Sequence, residues 1–285
     1  MVVVDASAHV WSPDRQRYPW RPRGEEPPHA AYDADPVLLE RDLADSGAAG
    51  AILVQPSVYA DDHTYLGAVV ARGNGRYAGV LLWNHHDPDA RTTAADSLDR
   101  HALAGMRLSA EEDMGRSPWF DGAAGEAAWS LAAERGQPLS LLCGSGQLGS
   151  ATDWAARCPD VPIVVDHLGL LDPRAGAGPL LDLVARHDHV SVRASALAAL
   201  SHEPWPYRDL WPALRALLAE AGAQRLVYGT DWPFLDGATS YDAPARALDE
   251  ALEWTTSERA DVLGLNAVRL WGLDVEALAR PWAAA

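Results

Sequence analysis

Val4-Asp5-Ala6-Ser7-Ala8-His9-Val10-Trp11 stands near the start of the chain, a short apolar run that ends in a histidine. Runs of this kind recur. Val2-Ala6 is followed by Ala51-Gln55, Tyr77-Trp83, Leu103-Leu108, Leu139-Cys143, Pro162-Asp166, His189-Ala194 and Arg225-Thr230. Their continuous apolar, β-branched character is that of strands buried on both faces. Between them, apolar residues fall at helical spacing over Pro36-Ala44, Thr64-Arg72, Ala90-His101, Ala123-Glu134, Gly146-Cys158, Gly178-His187, Trp205-Ala221 and Ala243-Trp254. Strand and helix alternating eight times predicts an α/β fold, a (β/α)8 TIM barrel forming a single domain over 1–285. An open doubly wound sheet would share the alternation, but no Gly-x-Gly-x-x-Gly follows the first strand.

Composition agrees with one large domain. The chain has 285 residues, 48% of them hydrophobic, enough for a single extensive core. A formal charge of −17 repels phosphate backbones and anionic lipid, so neither nucleic acid nor a membrane surface is an expected partner. All 23 basic residues are arginine. The lack of lysine excludes Schiff-base and pyridoxal-phosphate lysines, a P-loop lysine and a carbamylated lysine bridging two metals. Cys143 and Cys158 form no framework, and no apolar run approaches the roughly 20 residues of a membrane span, which together point to a soluble cytoplasmic protein. The segment 12–36, rich in Pro, Arg and acids, is long for a strand-to-helix loop and is expected either to cover the barrel mouth or to make a passive surface excursion. A short tail, 274–285, is expected to pack outside the barrel.

In such barrels the site is built where the strands end. Those positions carry Ser7 and His9, Gln55 and Ser57, Asn84 to His86, Arg107 and Ser109, Cys143, His167, Arg193 and Ser195, and Asp231 with Trp232. Asp231, in Gly229-Thr230-Asp231-Trp232-Pro233, offers a carboxylate fixed at the rim, suited to a general base or a metal ligand. Arg107 and Arg193 could grip a planar oxyanion of the substrate or pair with acids inside the rim. Of His85 and His86, at most one is expected to face the pocket, since neighbours on an extended segment point to opposite sides; His85 is the better placed. Trp83 and Trp232 are expected to line an apolar, aromatic-binding pocket together with Gln55. Cys143 reads as a small wall residue rather than a nucleophile, and Asp62 as a helix cap with His63 early in the helix.

Taken in order, Asp5-Ala6-Ser7-Ala8-His9-Val10-Trp11, Val54-Gln55-Pro56, Gly105-Met106-Arg107, Val165-Asp166-His167-Leu168-Gly169, Gly229-Thr230-Asp231-Trp232-Pro233 and Asn266-Ala267-Val268-Arg269-Leu270-Trp271-Gly272-Leu273 resemble the amidohydrolase superfamily (amidohydrolase family 2). The likeness is to the lactonase group of L-fuconolactonase, 4-sulfomuconolactonase and 2-pyrone-4,6-dicarboxylate lactonase. That resemblance implies a barrel hydrolase of small molecules that opens a cyclic ester, with Asp231 activating water, His167 the strand-six histidine, His9 the second histidine of the strand-one pair and Arg107 holding a substrate carboxylate. Ser7 stands where the pair's first histidine is expected. His9, His167 and Asp231 still number three, the count that catalytic zinc takes from protein. A serine hydroxyl in place of imidazole weakens such a site, so a metal-independent reaction with no cofactor is the expectation, and one divalent ion such as zinc the alternative. The same Asp and His groups would also suit a decarboxylase, another lyase, or a cyclase or dehydratase; a non-catalytic binding protein is a further reading. Barrels of this kind often pair through exposed helices, so a homodimer is expected to be possible.

Overall fold

The computed structural model describes residues 1–21, 31–114 and 116–282. Eight parallel strands form one sheet in sequential order: β1 Val4–Ala8, β2 Gly50–Val54, β3 Tyr77–Leu82, β4 Gly105–Ser109, β5 Leu139–Leu142, β6 Ile163–Val165, β7 Val190–Ala194 and β8 Leu226–Tyr228. The sheet curls round on itself. Ala8 bridges Trp232 in parallel, the His9 N–H donates to the Trp232 carbonyl at 2.8 Å, and the Asp231 N–H donates to that of Ser7 at 2.8 Å. The expected (β/α)8 barrel is therefore present, nearly closed by contacts just beyond the ends of β1 and β8.

Helices α1 Pro36–Ser46, α2 Thr64–Arg72, α3 Ala90–His101, α4 Ala123–Arg135, α5 Leu148–Arg157 and α6 Gly178–Arg186 follow the first six strands. After β7 come a short α7, Leu197–Leu200, and then α8, Trp211–Ala221; after β8 come α9, Ala243–Ala251, α10, Thr256–Ala260, α11, Asn266–Trp271, and α12, Val275–Leu278. Local chemistry sets several ends. The Asp35 carboxylate caps α1 by accepting from the Val37 N–H, Pro36 occupies the first turn, and Gly47 closes the helix at φ 74°. The helix read over Trp205-Ala221 begins only at Trp211, because Pro206 disfavours helix at the residue before it and Pro212 starts the first turn.

All strand residues except Leu82 and Ser109 are buried. Glycine is needed at Gly50, where a Cβ would lie 2.2 Å from the Arg76 carbonyl oxygen, and at Gly229, where it would lie 2.8 Å from the Ser7 Cβ. Gly229 thus lets the end of β8 lie against β1, and this contact sets Asp231 beside Ser7 and His9. In the long segment after β1, Tyr18 packs on Tyr65, Trp20 on Trp11 and Tyr32 on Phe234, and the Arg21 N–H donates to the Val58 carbonyl at 2.7 Å; its central part, 22–30, lies outside the described residues. The tail docks Leu278 into the core and donates from Trp282 Nε1 to the Ala48 carbonyl at 2.8 Å. Its end, 283–285, lies outside the described residues.

Candidate active site

A cavity of about 380 Å³ opens among the strand ends, lined among others by His9, Gln55, Arg107, Glu111, His167, Asp231 and Phe234. Asp231 adopts φ 71° and His167 φ 49°, a left-handed backbone that costs energy for a residue with a side chain and that collects at functional sites. The hydrogen bonds that join β1 to β8 hold Asp231 in that conformation.

The contacts of Asp231 converge on Oδ1. Ser7 Oγ donates to it at 3.3 Å, His9 Nε2 lies at 3.2 Å and His167 Nε2 at 3.6 Å. Burial pushes the Asp231 carboxyl up, but the His167, His9 and Arg107 side chains grouped on it outweigh that and hold it well below the usual carboxylate range. Asp231 is accordingly an anion at any working pH. His9 Nδ1 donates to the Val54 carbonyl at 2.8 Å, which aims Nε2 at Asp231.

His167 is held differently. Its Nε2 lies 3.1 Å from Arg107 Nη2, and since arginine only donates, Nε2 must accept. Nδ1 then carries the proton and donates to Ser195 Oγ at 2.8 Å. Burial keeps His167 below the ordinary histidine value, in line with this neutral tautomer.

Beneath the pocket, Asp166 accepts from Arg107 Nε at 2.8 Å and from Arg193 Nη1 at 2.5 Å. Burial raises the Asp166 carboxyl, and Arg193 and Arg107 more than reverse this. On the other side of the floor, Asp5 accepts from the Ser7 and Thr230 N–H groups at 3.0 and 2.8 Å, from Thr230 Oγ1 at 2.5 Å and from Tyr241 OH at 2.6 Å. Here burial outweighs the neutral donors and raises the carboxyl. The sequence assigns neither acid a role; the signal each leaves is a carboxylate within (Asp5) or at the end of (Asp166) an otherwise apolar strand run.

The cavity brings His9, Gln55, Arg107, His167 and Asp231 together. Four expected pocket residues, Arg193, Trp83, Trp232 and His85, do not line it. Arg193 has no exposed surface and spends its charge on Asp166, so it cannot touch a ligand. Trp83 is buried and lines a separate small cavity beside α3. Trp232 is buried and points away, donating from Nε1 to Asp42 at 3.0 Å, and Phe234 supplies the aromatic wall in its place. His85 is not among the lining residues either; it stacks on Trp119 with ring centroids 4.4 Å apart. His85 and His86 do not point to opposite sides: their rings are 3.8 Å apart, because Asn84 Oδ1 accepts the His86 N–H and turns the segment. Cys143 is a buried wall residue whose thiol burial pushes up to about 12. Asp62 caps the Thr64 N–H at 3.2 Å, and His63 precedes α2 rather than lying within it. Glu111 and Phe234, unmarked in the sequence, complete the wall.

A zinc ion on His9, His167 and Asp231 would require lone pairs aimed at one point. The His167 lone pair is taken by the Arg107 cation, which would face the metal, and Ser7 contributes a hydroxyl that donates to Asp231. This donor set does not fit a catalytic zinc.

Comparison with known proteins agrees with this architecture. The chain is 26% identical over 251 residues to a 4-sulfomuconolactone hydrolase of Rhizobium radiobacter, covering 86% of this chain and 79% of that one. It is 28% identical over 239 residues to an L-fucono-1,5-lactonase of Burkholderia ambifaria, covering 81% and 80%. The crystal structure of a provisional 2-pyrone-4,6-dicarboxylic acid hydrolase from Pseudomonas putida superposes with a TM-score of 0.75 at 27% identity, over 96% of this chain and 98% of that one. The sequence model of the amidohydrolase family matches residues 4–273, so the chain belongs to that family.

Proposed function

We propose that this protein is a metal-independent lactonase that opens a small cyclic ester. The observation that carries this reading is a carboxylate, Asp231, kept anionic at the pocket floor within 3.2 Å of one histidine and 3.6 Å of another, with a guanidinium bound to the second. The lactone-hydrolysing relatives support it.

Asp231 accepts a proton from water as the water oxygen bonds to the lactone carbonyl carbon. Negative charge then develops on the carbonyl oxygen. Arg107 is the donor for that charge, an effect worth about 3–4 kcal/mol for a well-placed donor, while His9, fixed through Nδ1 on the Val54 carbonyl, holds Asp231 Oδ1 in place. His167 has no proton on Nε2 to give; it positions Arg107 and closes the wall behind Asp231. When the ring C–O bond breaks, the proton passes from Asp231 to the leaving alkoxide oxygen, giving a hydroxy acid. A carboxylate held so far down is a weak base, so stabilisation of the oxyanion, rather than proton affinity, carries most of the rate.

Gln55 forms part of the same pocket wall. Its Nε2 donates to the Ala60 and Asp62 carbonyls at 3.3 and 3.0 Å, which fixes the amide and leaves the buried Oε1 without a partner among the described residues. Tyr32 packs on Phe234 with centroids 5.0 Å apart, which sets the described end of the segment after β1 against the pocket wall.

Mass spectrometry of products from neutral and carboxylated lactones tests the reaction: hydrolysis adds one water, and loss of carbon dioxide would assign a lyase instead. Asp231→Asn is expected to lower kcat by about 10²–10⁴-fold with the fold intact. Full turnover in that variant would overturn the proposal. Because Asp231 stays ionised and His167 stays neutral through pH 6.5, kcat should be flat from neutral pH down through that value. An acid limb at the ordinary histidine value would contradict the assigned tautomer.

A further inference from the structure

Away from the catalytic pocket, His85, His86 and Glu112 place one ligand atom each within 4.8 Å of the others, the one such grouping of at least three His, Cys, Asp or Glu among the described residues. We propose that these three side chains form a site for one borderline divalent cation of the zinc type, separate from His9, His167 and Asp231.

Glu112 Oε2 lies 3.4 Å from His86 Nε2 and 3.9 Å from His85 Nε2. Donor atoms around a tetrahedral zinc, with bonds of about 2.0–2.1 Å, stand about 3.3–3.5 Å apart. Of the three pairs, Glu112–His86 is already at that spacing, Glu112–His85 closes by about 0.5 Å, and the two imidazole ligand atoms stand within 4.8 Å of each other. The scaffold holds them there. The Asn84 side chain turns the segment so that adjacent histidines share a side, which an extended segment forbids. The His85 ring lies flat on Trp119, with 9° between the planes. Trp119 is tied at both its indole and its backbone, Nε1 donating to the Ser109 carbonyl at 2.5 Å and N–H to Asp113 Oδ2 at 2.7 Å. The plane of one ligand is thus fixed by the same β4 loop that carries another.

Two imidazoles and one carboxylate suit zinc, nickel or cobalt rather than magnesium or calcium, which prefer oxygen throughout. The His85, His86 and Glu112 side chains are 16%, 53% and 65% exposed, so a fourth position is open to water. Ordering the two exposed arms costs conformational entropy, which places the affinity in the micromolar range rather than that of a buried structural zinc. Occupancy would pin the β3 loop to the β4 loop, whose Glu111 lines the catalytic pocket.

Titration calorimetry of untagged protein with zinc chloride alone tests the site. One equivalent should bind with micromolar affinity, weakened at least tenfold in His86→Ala and in Glu112→Gln and unchanged in Asp231→Asn. Both altered positions are exposed, and an unchanged thermal midpoint without zinc verifies the fold. Cobalt-loaded protein should show the visible absorption of four-coordinate Co²⁺ and lose it in the same two variants. Three outcomes overturn the proposal: no saturable binding by the wild type, binding that survives the combined His86→Ala and Glu112→Gln change, or binding that is lost in Asp231→Asn.

Discussion

Two carboxylates lie fully buried on opposite sides of the barrel floor, and they are satisfied in opposite ways. Asp166, just after β6, meets two arginines; Asp5, in β1, meets two backbone amides and two hydroxyls. Equal burial therefore gives unequal charge states, with Asp166 shifted down and Asp5 shifted up. Charged partners hold an anion in a dry interior, whereas neutral donors only reduce the cost of one. The two sides also support different things. Asp166 fixes side chains, Arg107 and through it His167; Asp5 fixes backbone, the turn at Thr230 that delivers Asp231.

Removing the anion on the charged side is the largest perturbation. Asp166→Asn leaves Arg193, which has no exposed surface, without its counter-charge, and breaking a buried pair in this way costs about 3–5 kcal/mol. Chemical denaturation should report that loss. A change below about 1 kcal/mol would mean that Arg193 finds another partner, contrary to the comparison. Turnover should fall as well, because Arg107 loses the contact at its Nε.

Little of this division was legible in the sequence, although much of the barrel was. The bounds of α2 and α3 came out as read, since alternation between apolar runs and helical spacing is a local property. Strand ends shifted by one or two residues. β1 runs over Val4–Ala8 rather than Val2-Ala6, because its pairing with β2 begins at Val4 opposite Gly50. β8 stops at Tyr228, because Gly229 and Thr230 form the approach to a left-handed Asp231. Strand-end position alone located Asp231, His9, His167, Arg107 and Gln55 at the cavity. It could not separate Arg107 from Arg193, each in a strand and each near its end, since which one reaches the opening depends on how deep it sits in the barrel. Trp83 and Trp232 failed for a similar reason: a large side chain beside a rim can turn outward into the helix layer as readily as inward.

On the neutral side a smaller effect with the opposite pH dependence is expected. Asp5→Asn keeps an acceptor for the backbone amides but presents an NH₂ to Thr230 Oγ1 and Tyr241 OH, a loss of about 1–2 kcal/mol. The Asp5 carboxyl is raised in the folded protein, so above about pH 3.8 the folded chain holds a proton that the unfolded chain releases. Its contribution to stability therefore falls as pH rises from there towards the folded value. Asp166, shifted down, contributes stability that is complete above about pH 3.8 and lost as pH drops through its folded value. Denaturation at pH 4 and pH 7 should show Asp5→Asn costing less at the higher pH. A larger cost at pH 7 would mean that Asp5 is ionised in the fold and that the two sides are alike.

The smallest change probes that balance most finely. Tyr241→Phe removes one hydroxyl that donates to Asp5 Oδ2 at 2.6 Å and leaves the other three donors in place. The direct loss should be about 0.5–1.5 kcal/mol. The Tyr241 hydroxyl helps to lower the Asp5 carboxyl against its burial, so deleting it lets the carboxyl rise further. A carboxyl raised further extends the pH range over which the fold retains a proton that the unfolded chain has given up. Stability of the variant should therefore decline with rising pH over a wider range than that of the wild type. In an Asp5→Asn background the same substitution should have no such pH dependence, because nothing is left there to titrate. If the pH slope instead survives in the double variant, another group on the β1 and β8 side carries it, and Asp5 is a structural acceptor whose proton does not govern the floor.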